Sequence, residues 1–259
     1  MMIDEDAEIM RAVARYAATV TVPILRDCAP DKVDQVGTAT LFDHGGRLLL
    51  VTAGHIFDEI KAEDLVIPSR NTRDVHGIGP YHLFRPDNPD IDLAIVELRH
   101  PPSIERARAS WTVLDVARTS TASDEGWFVL TGYPSVKSRH VGGLLGSTLL
   151  CLHSWRLSDT PAGAQQPVYP DLDLFFRFEE QGEVLTGEID AVPHLGGCSG
   201  GAIWEYREPT DMLFWTVEQC LRFVGVQSSF NRSSKYFRAK SWTYLRSCME
   251  KLIEQYPDA

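Results

Sequence analysis

The chain has 259 residues, 44% of them hydrophobic, and a formal net charge of −11. This length suits one large β domain or two small β-barrels that share an interface. The acidic balance argues against nucleic acid or an anionic membrane as a partner bound through a basic face.

The sequence also indicates in which compartment the protein acts and whether it binds a metal. Residues 1–6 are acidic and lead into no apolar segment of a signal peptide, and no apolar run approaches the length of a membrane span. The five cysteines are odd in number and widely spaced, which predicts reduced thiols. Neither a Cys-x-x-Cys pair nor a His-x-x-x-His spacing indicates zinc. We therefore expect a cytoplasmic protein without a cofactor or a bound metal.

The predicted elements begin and end with helices. Residues 4–20 place apolar side chains on one helical face, and Pro23 then marks a change to extended chain. Short β-strands separated by turns are predicted from Val36 onward, over residues 36–42, 47–51, 92–98, 127–131, 149–154, 172–178, 202–204, 213–217 and 221–226. A final helix is predicted from Trp242 to Tyr256. Many short strands without alternating long helices favour barrels or a sandwich.

One glycine-rich turn carries the most specific functional signal. In Gly197-Cys198-Ser199-Gly200-Gly201, glycines stand on both sides of a serine. Glycine permits a tight turn and a close approach to a substrate carbonyl. A turn of this kind can expose a serine hydroxyl beside two backbone N–H groups aimed at one point, which is the form of a nucleophile next to an oxyanion hole. Alone, the motif fits a flexible turn equally well.

Two upstream motifs supply the partners that such a serine needs. The apolar run over residues 48–53 leads through a small-residue turn to His55, and Asp92 stands at the start of the apolar run 93–96. Asp90 is the alternative acid, although Asp92 directly abuts the apolar run. The chain order His-Asp-Ser is the order used by the two-barrel β fold among the unrelated folds that carry this constellation.

With these motifs, the chain resembles the trypsin-like serine peptidases of the chymotrypsin fold, in particular intracellular bacterial members with a short Thr-Ala-x-His motif. The resemblance extends from about residue 33 to about residue 245. It implies an all-β chain with terminal helices, built from two six-stranded antiparallel β-barrels. We expect a helical extension over residues 1–30, a first barrel over 31–118, a second over 119–240 and a C-terminal helix over 241–259.

The resemblance also implies roles for individual residues. Ser199 is expected to be the nucleophile, His55 its base and Asp92 the group that orients His55, while the N–H groups of Gly197 and Ser199 hold the oxyanion. The pocket for the residue before the scissile bond is expected between two walls formed by Pro193, His194 and Leu195 on one side and by Ser228, Ser229 and Phe230 on the other.

These pocket residues include no carboxylate, so a preference for Lys or Arg is not supported, and a small or medium uncharged residue is expected. Phe230 either narrows the pocket or packs outward. Cys198 replaces the Asp that many secreted relatives place before the nucleophile, and Cys cannot pair with a newly cut N-terminal amine. We interpret it as a small packed residue.

The function predicted from the sequence is that of a serine endopeptidase acting through an acyl-enzyme intermediate. Its expected partners are a protein or peptide substrate and, by resemblance, a regulatory protein. Two alternatives stay open at this point: a catalytically idle peptide-binding module of the same fold, and an esterase that uses the same three residues.

Overall fold

The structure, a computed structural model, describes residues 4–29, 32–70, 72, 74–141, 144–183, 189–210 and 214–257. The helices are α1 (Asp4–Val20), α2 (Ile56–Glu59), α3 (Pro101–Ser110), α4 (Val217–Cys220) and α5 (Trp242–Gln255). The strands are β1 (Thr21–Ala29), β2 (Lys32–His44), β3 (Arg47–Thr52), β4 (Leu65–Pro68), β5 (Val75–Gly77), β6 (Tyr81–Phe84), β7 (Ala94–Leu98), β8 (Leu114–Asp115), β9 (Trp127–Gly132), β10 (Arg139–Val141), β11 (Leu144–Gly146), β12 (Leu150–Ser154), β13 (Asp173–Arg177), β14 (Gln181–Glu183), β15 (Ile189–Ala191), β16 (Ala202–Tyr206), β17 (Leu221–Asn231) and β18 (Tyr236–Ser241).

Two curled antiparallel sheets dominate the fold, and this confirms the predicted all-β class with terminal helices. The second sheet has the expected six strands, in the order β12-β9-β16-β17-β18-β13. The first sheet has eight, because β5-β4-β1-β2-β3-β7-β6 is joined by β8, which pairs with β2 in parallel. Two separate hairpins, β10–β11 and β14–β15, project between strands of the second half of the chain.

Each sheet encloses an apolar core, and a third core joins them. The first core includes Ile24, Leu41, Leu50, Val96 and Trp111, and the second includes Phe128, Leu130, Phe176, Val224 and Phe237. The third contains residues of both sheets and both terminal helices, among them Val13, Phe42, Trp204, Phe223 and Trp242. Since burial of apolar surface is the main favourable term in folding, this shared core fixes how the two sheets lie against each other.

The N-terminal segment departs from the expected domain boundaries. Helix α1 spans the predicted residues 4–20, but β1 follows at once and pairs with β2, with Val22 opposite Ala39. Residues 21–29 therefore belong to the first sheet, and the expected helical extension over 1–30 is too long. Val22 and Ile24 are buried in the first core, which explains why this extended segment joins the sheet.

Two other elements differ from the sequence prediction. The strand expected over 213–217 does not form in its described part, because 214–216 are irregular and Val217 begins α4. A capping box stabilises that helix start: the Thr216 hydroxyl accepts from the backbone of Gln219, whose side chain accepts from the Thr216 N–H. Helix α3 was not predicted; it has Pro at its start and buries Ser103 and Ala107.

The predicted C-terminal helix is confirmed. Helix α5 covers Trp242–Gln255 and buries Trp242, Leu245 and Leu252. Among the described helices, none combines the length and the apolar character needed to cross a bilayer.

Candidate active site

His55 and Asp92 form a close pair at the edge of the first sheet. His55 lies between the end of β3 and the start of α2, and Asp92 lies just before β7. The Asp92 carboxylate accepts a hydrogen bond from the His55 backbone N–H at 2.7 Å and one from ring Nδ1 at 2.8 Å. The close approach needs Gly54, since a Cβ there would lie 2.9 Å from the Leu93 nitrogen. Asp90 is exposed, and its N–H binds the Asn88 side chain instead.

This pairing determines the state of the imidazole. Because Nδ1 donates to Asp92, Nε2 is the nitrogen left for a substrate or a serine. The His55 side chain is 47% exposed and that of Asp92 is 23% exposed, so both groups are reached by solvent. The hydrogen bond that the His55 ring donates to Asp92 raises the pKa of His55 above its ordinary value of 6.5, and partial burial opposes that shift.

The Ser199 turn packs against the first sheet beside this pair. Thr38 of β2 donates its N–H to the Ser199 carbonyl at 2.9 Å. A Cβ on Gly37 would lie 3.3 Å from the Ser199 carbonyl oxygen and would collide with Ile56, the residue after His55. These contacts bring the serine turn and the histidine loop together. Among the described contacts, however, no hydrogen bond joins the Ser199 hydroxyl to His55, and catalytic hydrogen bonds often tighten only when substrate is bound.

Backbone N–H groups in the turn fall into two sets. Those of Cys198, Gly200 and Gly201 donate to the carbonyls of Leu195, Gln227 and Cys198 at 2.9, 2.8 and 2.7 Å. Within the described part of the chain, the N–H groups of Gly197 and Ser199 have no acceptor. The two groups predicted to hold an oxyanion are therefore the two that the fold leaves available.

Two glycines of the turn occupy conformations that other residues rarely adopt. Gly197 has a φ of +91° and Gly200 a φ of +86°. A Cβ on Gly197 would lie 2.7 Å from the backbone nitrogen of Ser135, and one on Gly200 would collide with the Thr38 carbonyl. Both positions therefore require glycine for conformation and for space.

The two expected walls of the substrate pocket touch each other. The rings of His194 and Phe230 lie edge to face, with centroids 4.6 Å apart, and Phe230 also contacts Phe178 at 6.0 Å. Phe230 thus reaches toward the opposite wall instead of packing outward. Pro193 is half-buried beside this contact.

Leu195 and Ser228 have less access to a substrate than the sequence suggested. Leu195 is 1% exposed and packs in the core of the second sheet, so its side chain offers little surface to a substrate. Ser228 is also buried, and its hydroxyl donates to the Arg238 carbonyl at 3.3 Å. Ser229 is half-buried and pairs with Arg238 across the sheet.

Strand β17 offers an open edge beside the turn. Its pairing with β16 ends at Val226, opposite Ala202, whereas its pairing with β18 continues to Asn231. In the described structure, residues 229–231 therefore pair on one side only, and the register shifts at Ser228. An extended peptide can add to such an edge through main-chain hydrogen bonds.

Cys198 is a packed core residue, as the sequence suggested. Its side chain is buried, and a Cβ on Gly132 would lie 3.1 Å from its sulfur. Burial raises the pKa of the Cys198 thiol to about 12, which opposes formation of a reactive thiolate. Over the residues that the structure describes, His, Cys, Asp and Glu nowhere gather into a group that could hold a metal ion.

Comparison with known proteins supports the fold and nothing finer. No protein-family model matches the chain, and no curated protein matches it. The scabies mite inactivated protease paralogue S-I1 is similar in structure, with a TM-score of 0.59 and 13% identity over 93% of this chain and 96% of that one. A chain from work on the intrinsically disordered Sesbania mosaic virus VPg protein and its coupled folding and binding gives a TM-score of 0.48 and 13% identity, over 86% and 87% of the two chains. Its TM-score is too low to carry an argument. Sheet topology and the first of these neighbours together show that the chain has a chymotrypsin-like fold.

Proposed function

We propose that this protein is a serine endopeptidase in which Ser199, His55 and Asp92 form the catalytic triad. The observation that carries the proposal is that, in the described structure, the backbone N–H groups of Gly197 and Ser199 have no hydrogen-bond acceptor. Both lie in a turn that packs beside the His55–Asp92 pair. Two backbone donors aimed at the place where charge develops stabilise a tetrahedral intermediate strongly.

The reaction follows from these positions. The Ser199 oxygen forms a bond to the substrate carbonyl carbon while Nε2 of His55 takes its proton, and the carbonyl electron pair moves to oxygen as an oxyanion held by the two N–H groups. Collapse of this intermediate breaks the C–N bond, and the amine leaves with the proton from His55. Water then attacks the acyl-enzyme by the same route and releases Ser199. Asp92 stabilises the imidazolium in both steps.

The open edge of β17 supports a peptide as the substrate. A chain in extended conformation can pair with residues 229–231 and bring its carbonyl toward the serine turn. The contact between His194 and Phe230 limits the space for the side chain before the scissile bond. A small, uncharged side chain fits this site best. All five cysteines are free thiols, which suits a reducing compartment such as the cytoplasm.

Turnover of a peptide library tests the proposal. Purified protein is incubated with a mixed library of peptides that vary around one position, and the products are identified by mass spectrometry. Cleavage is expected in the wild type, with Ser158→Ala as the matched control, because Ser158 is exposed and, among the described contacts, its hydroxyl bonds only to Asp159. Ser199→Ala should abolish cleavage. Equal cleavage by Ser199→Ala would refute the assignment.

A catalytically idle peptide-binding module is the second candidate. It is favoured by the missing hydrogen bond between the Ser199 hydroxyl and His55 among the described contacts. This candidate predicts that the library binds, that no peptide is cut, and that Ser199→Ala leaves the affinity unchanged. An esterase would instead cleave activated esters and leave every peptide intact.

A further inference from the structure

Thr38 makes an unusual set of contacts for a residue in the middle of a strand of the other sheet. Its hydroxyl donates to the Gly197 carbonyl at 2.8 Å and accepts from the Tyr133 N–H at 3.0 Å. Its backbone N–H donates to the Ser199 carbonyl at 2.9 Å, and its own carbonyl accepts from the Thr52 hydroxyl at 2.7 Å. Thr38 is fully buried. It therefore holds the carbonyls of the same two residues whose N–H groups stay available.

We propose that Thr38 is a positioning residue that keeps the oxyanion hole in shape from the first sheet. The proposal rests on the proposed function, since it concerns the two N–H groups that the peptidase mechanism uses. Thr38 itself touches neither the substrate nor the reacting atoms. It acts through the backbone of Gly197 and Ser199.

Peptide geometry explains how a bond to a carbonyl controls an N–H group. A trans peptide unit is planar, so its C=O and N–H point in opposite directions and turn together. The unit between Gly196 and Gly197 is held at its carbonyl by the Ser135 N–H at 2.7 Å. The next unit is held at the Gly197 carbonyl by the Thr38 hydroxyl. The Gly197 N–H lies in the first of these units and is directed by the Ser135 contact. Thr38 holds the unit on the other side of Gly197 and so restricts rotation about the φ and ψ bonds of that residue.

The turn needs such restraint because of its composition. Glycine at positions 196, 197, 200 and 201 gives the backbone access to many conformations. The Thr38 hydroxyl restricts that freedom at the position whose φ is +91°. The same hydroxyl donates to the Gly197 carbonyl and accepts from the Tyr133 N–H, and so joins the two backbones.

Gln35, three residues before Thr38, supports the same arrangement. Its side-chain amide donates to the Tyr133 carbonyl and accepts from the hydroxyl groups of Ser138 and Ser147. The Tyr133 backbone is therefore held on both sides from β2, by Gln35 at its carbonyl and by Thr38 at its N–H. Since Ser135 follows two residues later, this also fixes the group that holds Gly196.

All these contacts come from side chains and backbone within the two sheets and their loops. Cys198, the residue before the serine, is packed in the core and forms no ion pair with any residue that the structure describes. The restraint on the hole therefore needs no liberated N-terminal amine. This gives a physical reason why a chain with Cys at position 198 can hold an ordered oxyanion hole.

Substitutions at Thr38 and Thr40 test the proposal. Thr38→Val removes the hydroxyl and keeps the shape, Thr38→Ser keeps the hydroxyl, and Thr38→Ala is the second deletion in case a valine in this place prevents folding. Thr40→Val is the matched control: Thr40 lies two residues along the same strand, is equally buried, and its hydroxyl has no hydrogen-bond partner in the described structure.

The first readout is kinetic. We expect Thr38→Val to lower kcat/KM by about 10- to 100-fold. This decrease is no larger than the decrease in kcat that follows removal of one oxyanion donor in other enzymes. The inhibition constant of a peptide aldehyde, which forms a tetrahedral adduct on serine, should rise by a similar factor while KM changes little. In Thr38→Ser, both kcat/KM and the inhibition constant of the aldehyde should stay close to the wild-type values, and Thr40→Val should match the wild type in both. Wild-type kcat/KM in Thr38→Val, or equal losses in Thr38→Ser, would overturn the proposal.

The second readout does not depend on activity. In protein labelled with ¹⁵N-glycine, the amide signals of Gly196 and Gly197 should broaden or divide in Thr38→Val, because the turn then samples more than one conformation. They should stay single in Thr40→Val. Unchanged glycine signals in both Thr38→Val and Thr38→Ala would overturn the proposal, whether or not the wild type cleaves peptides. If the wild type is inactive but the signals change in Thr38→Val as expected, only the peptidase assignment is contradicted.

Discussion

The Asp92 carboxylate accepts two hydrogen bonds from a single residue, His55: one from the backbone N–H at 2.7 Å and one from ring Nδ1 at 2.8 Å. The first bond fixes the loop and the second fixes the ring. Together they leave Nε2 as the basic atom of the ring. The orientation of His55 therefore depends on one side chain, which makes that side chain the sharpest point at which to perturb the site.

Replacing Asp92 with Asn separates these two roles. An Asn oxygen can still accept from the His55 N–H, but its NH₂ group in place of the second oxygen favours the wrong tautomer of the ring. We expect kcat to fall by about 10³- to 10⁴-fold with little change in KM. Asp90→Asn is the control, because Asp90 is exposed and makes no contact with His55 in the described structure. Similar kinetic losses in both variants would contradict the assignment.

The pH dependence of kcat/KM follows from the same contact. Only the neutral imidazole of His55 can take the serine proton, and Asp92 raises the pKa of His55 above 6.5. Activity should therefore fall as the pH drops through this raised pKa, and in Asp92→Asn the midpoint should shift to lower pH. The ion pair itself stabilises the fold below the unfolded pKa and loses that effect as the pH rises through the folded one. A pH profile with the same midpoint in both proteins would contradict this account.

Gly197→Ala tests the need for glycine in the turn. A Cβ at a positive φ costs about 1–2 kcal/mol, and at Gly197 it would also displace Ser135. We expect kcat/KM to fall by about 100-fold or more. Gly45→Ala is the matched control, since Gly45 has a φ of +62° and open space around it. It should lower the unfolding free energy by the strain alone and leave kcat/KM unchanged, as measured by thermal unfolding and kinetics. A lower kcat/KM in Gly45→Ala, or an unchanged kcat/KM in Gly197→Ala, would contradict a specific need for glycine at position 197.

How far the sequence predicted this site depends on the range of the interactions. The serine turn, His55 and the preference for Asp92 over Asp90 follow from short motifs, because each needs only neighbouring residues to be visible. The contacts of Thr38 cannot be predicted from a short motif, because Thr38 and Gly197 are 159 positions apart in the sequence. The residue pattern over 213–217 favours a strand, but the capping box at Thr216 starts a helix at Val217. The position of Leu195 before the serine turn favours a pocket residue, but its side chain packs in the core of the second sheet.

Phe230→Gly tests the limit on substrate size. Without the ring that contacts His194, the space between the two walls should widen. We expect the ratio of kcat/KM for substrates with Phe or Leu before the scissile bond to those with Ala to rise at least about tenfold, which corresponds to about 1.4 kcal/mol. Phe214→Ala is the control, because Phe214 is 90% exposed. The same ratio in Phe230→Gly and the wild type would show that Phe230 does not limit the pocket.

Covalent labelling tests the central claim most directly. The purified protein is treated with a fluorophosphonate, which reacts with an activated serine, and the intact mass and the modified peptide are determined by mass spectrometry. The account predicts one adduct per chain, on Ser199, with labelling lost in Ser199→Ala and strongly slowed in His55→Ala. An unlabelled wild type, or an adduct that persists in Ser199→Ala, would contradict it.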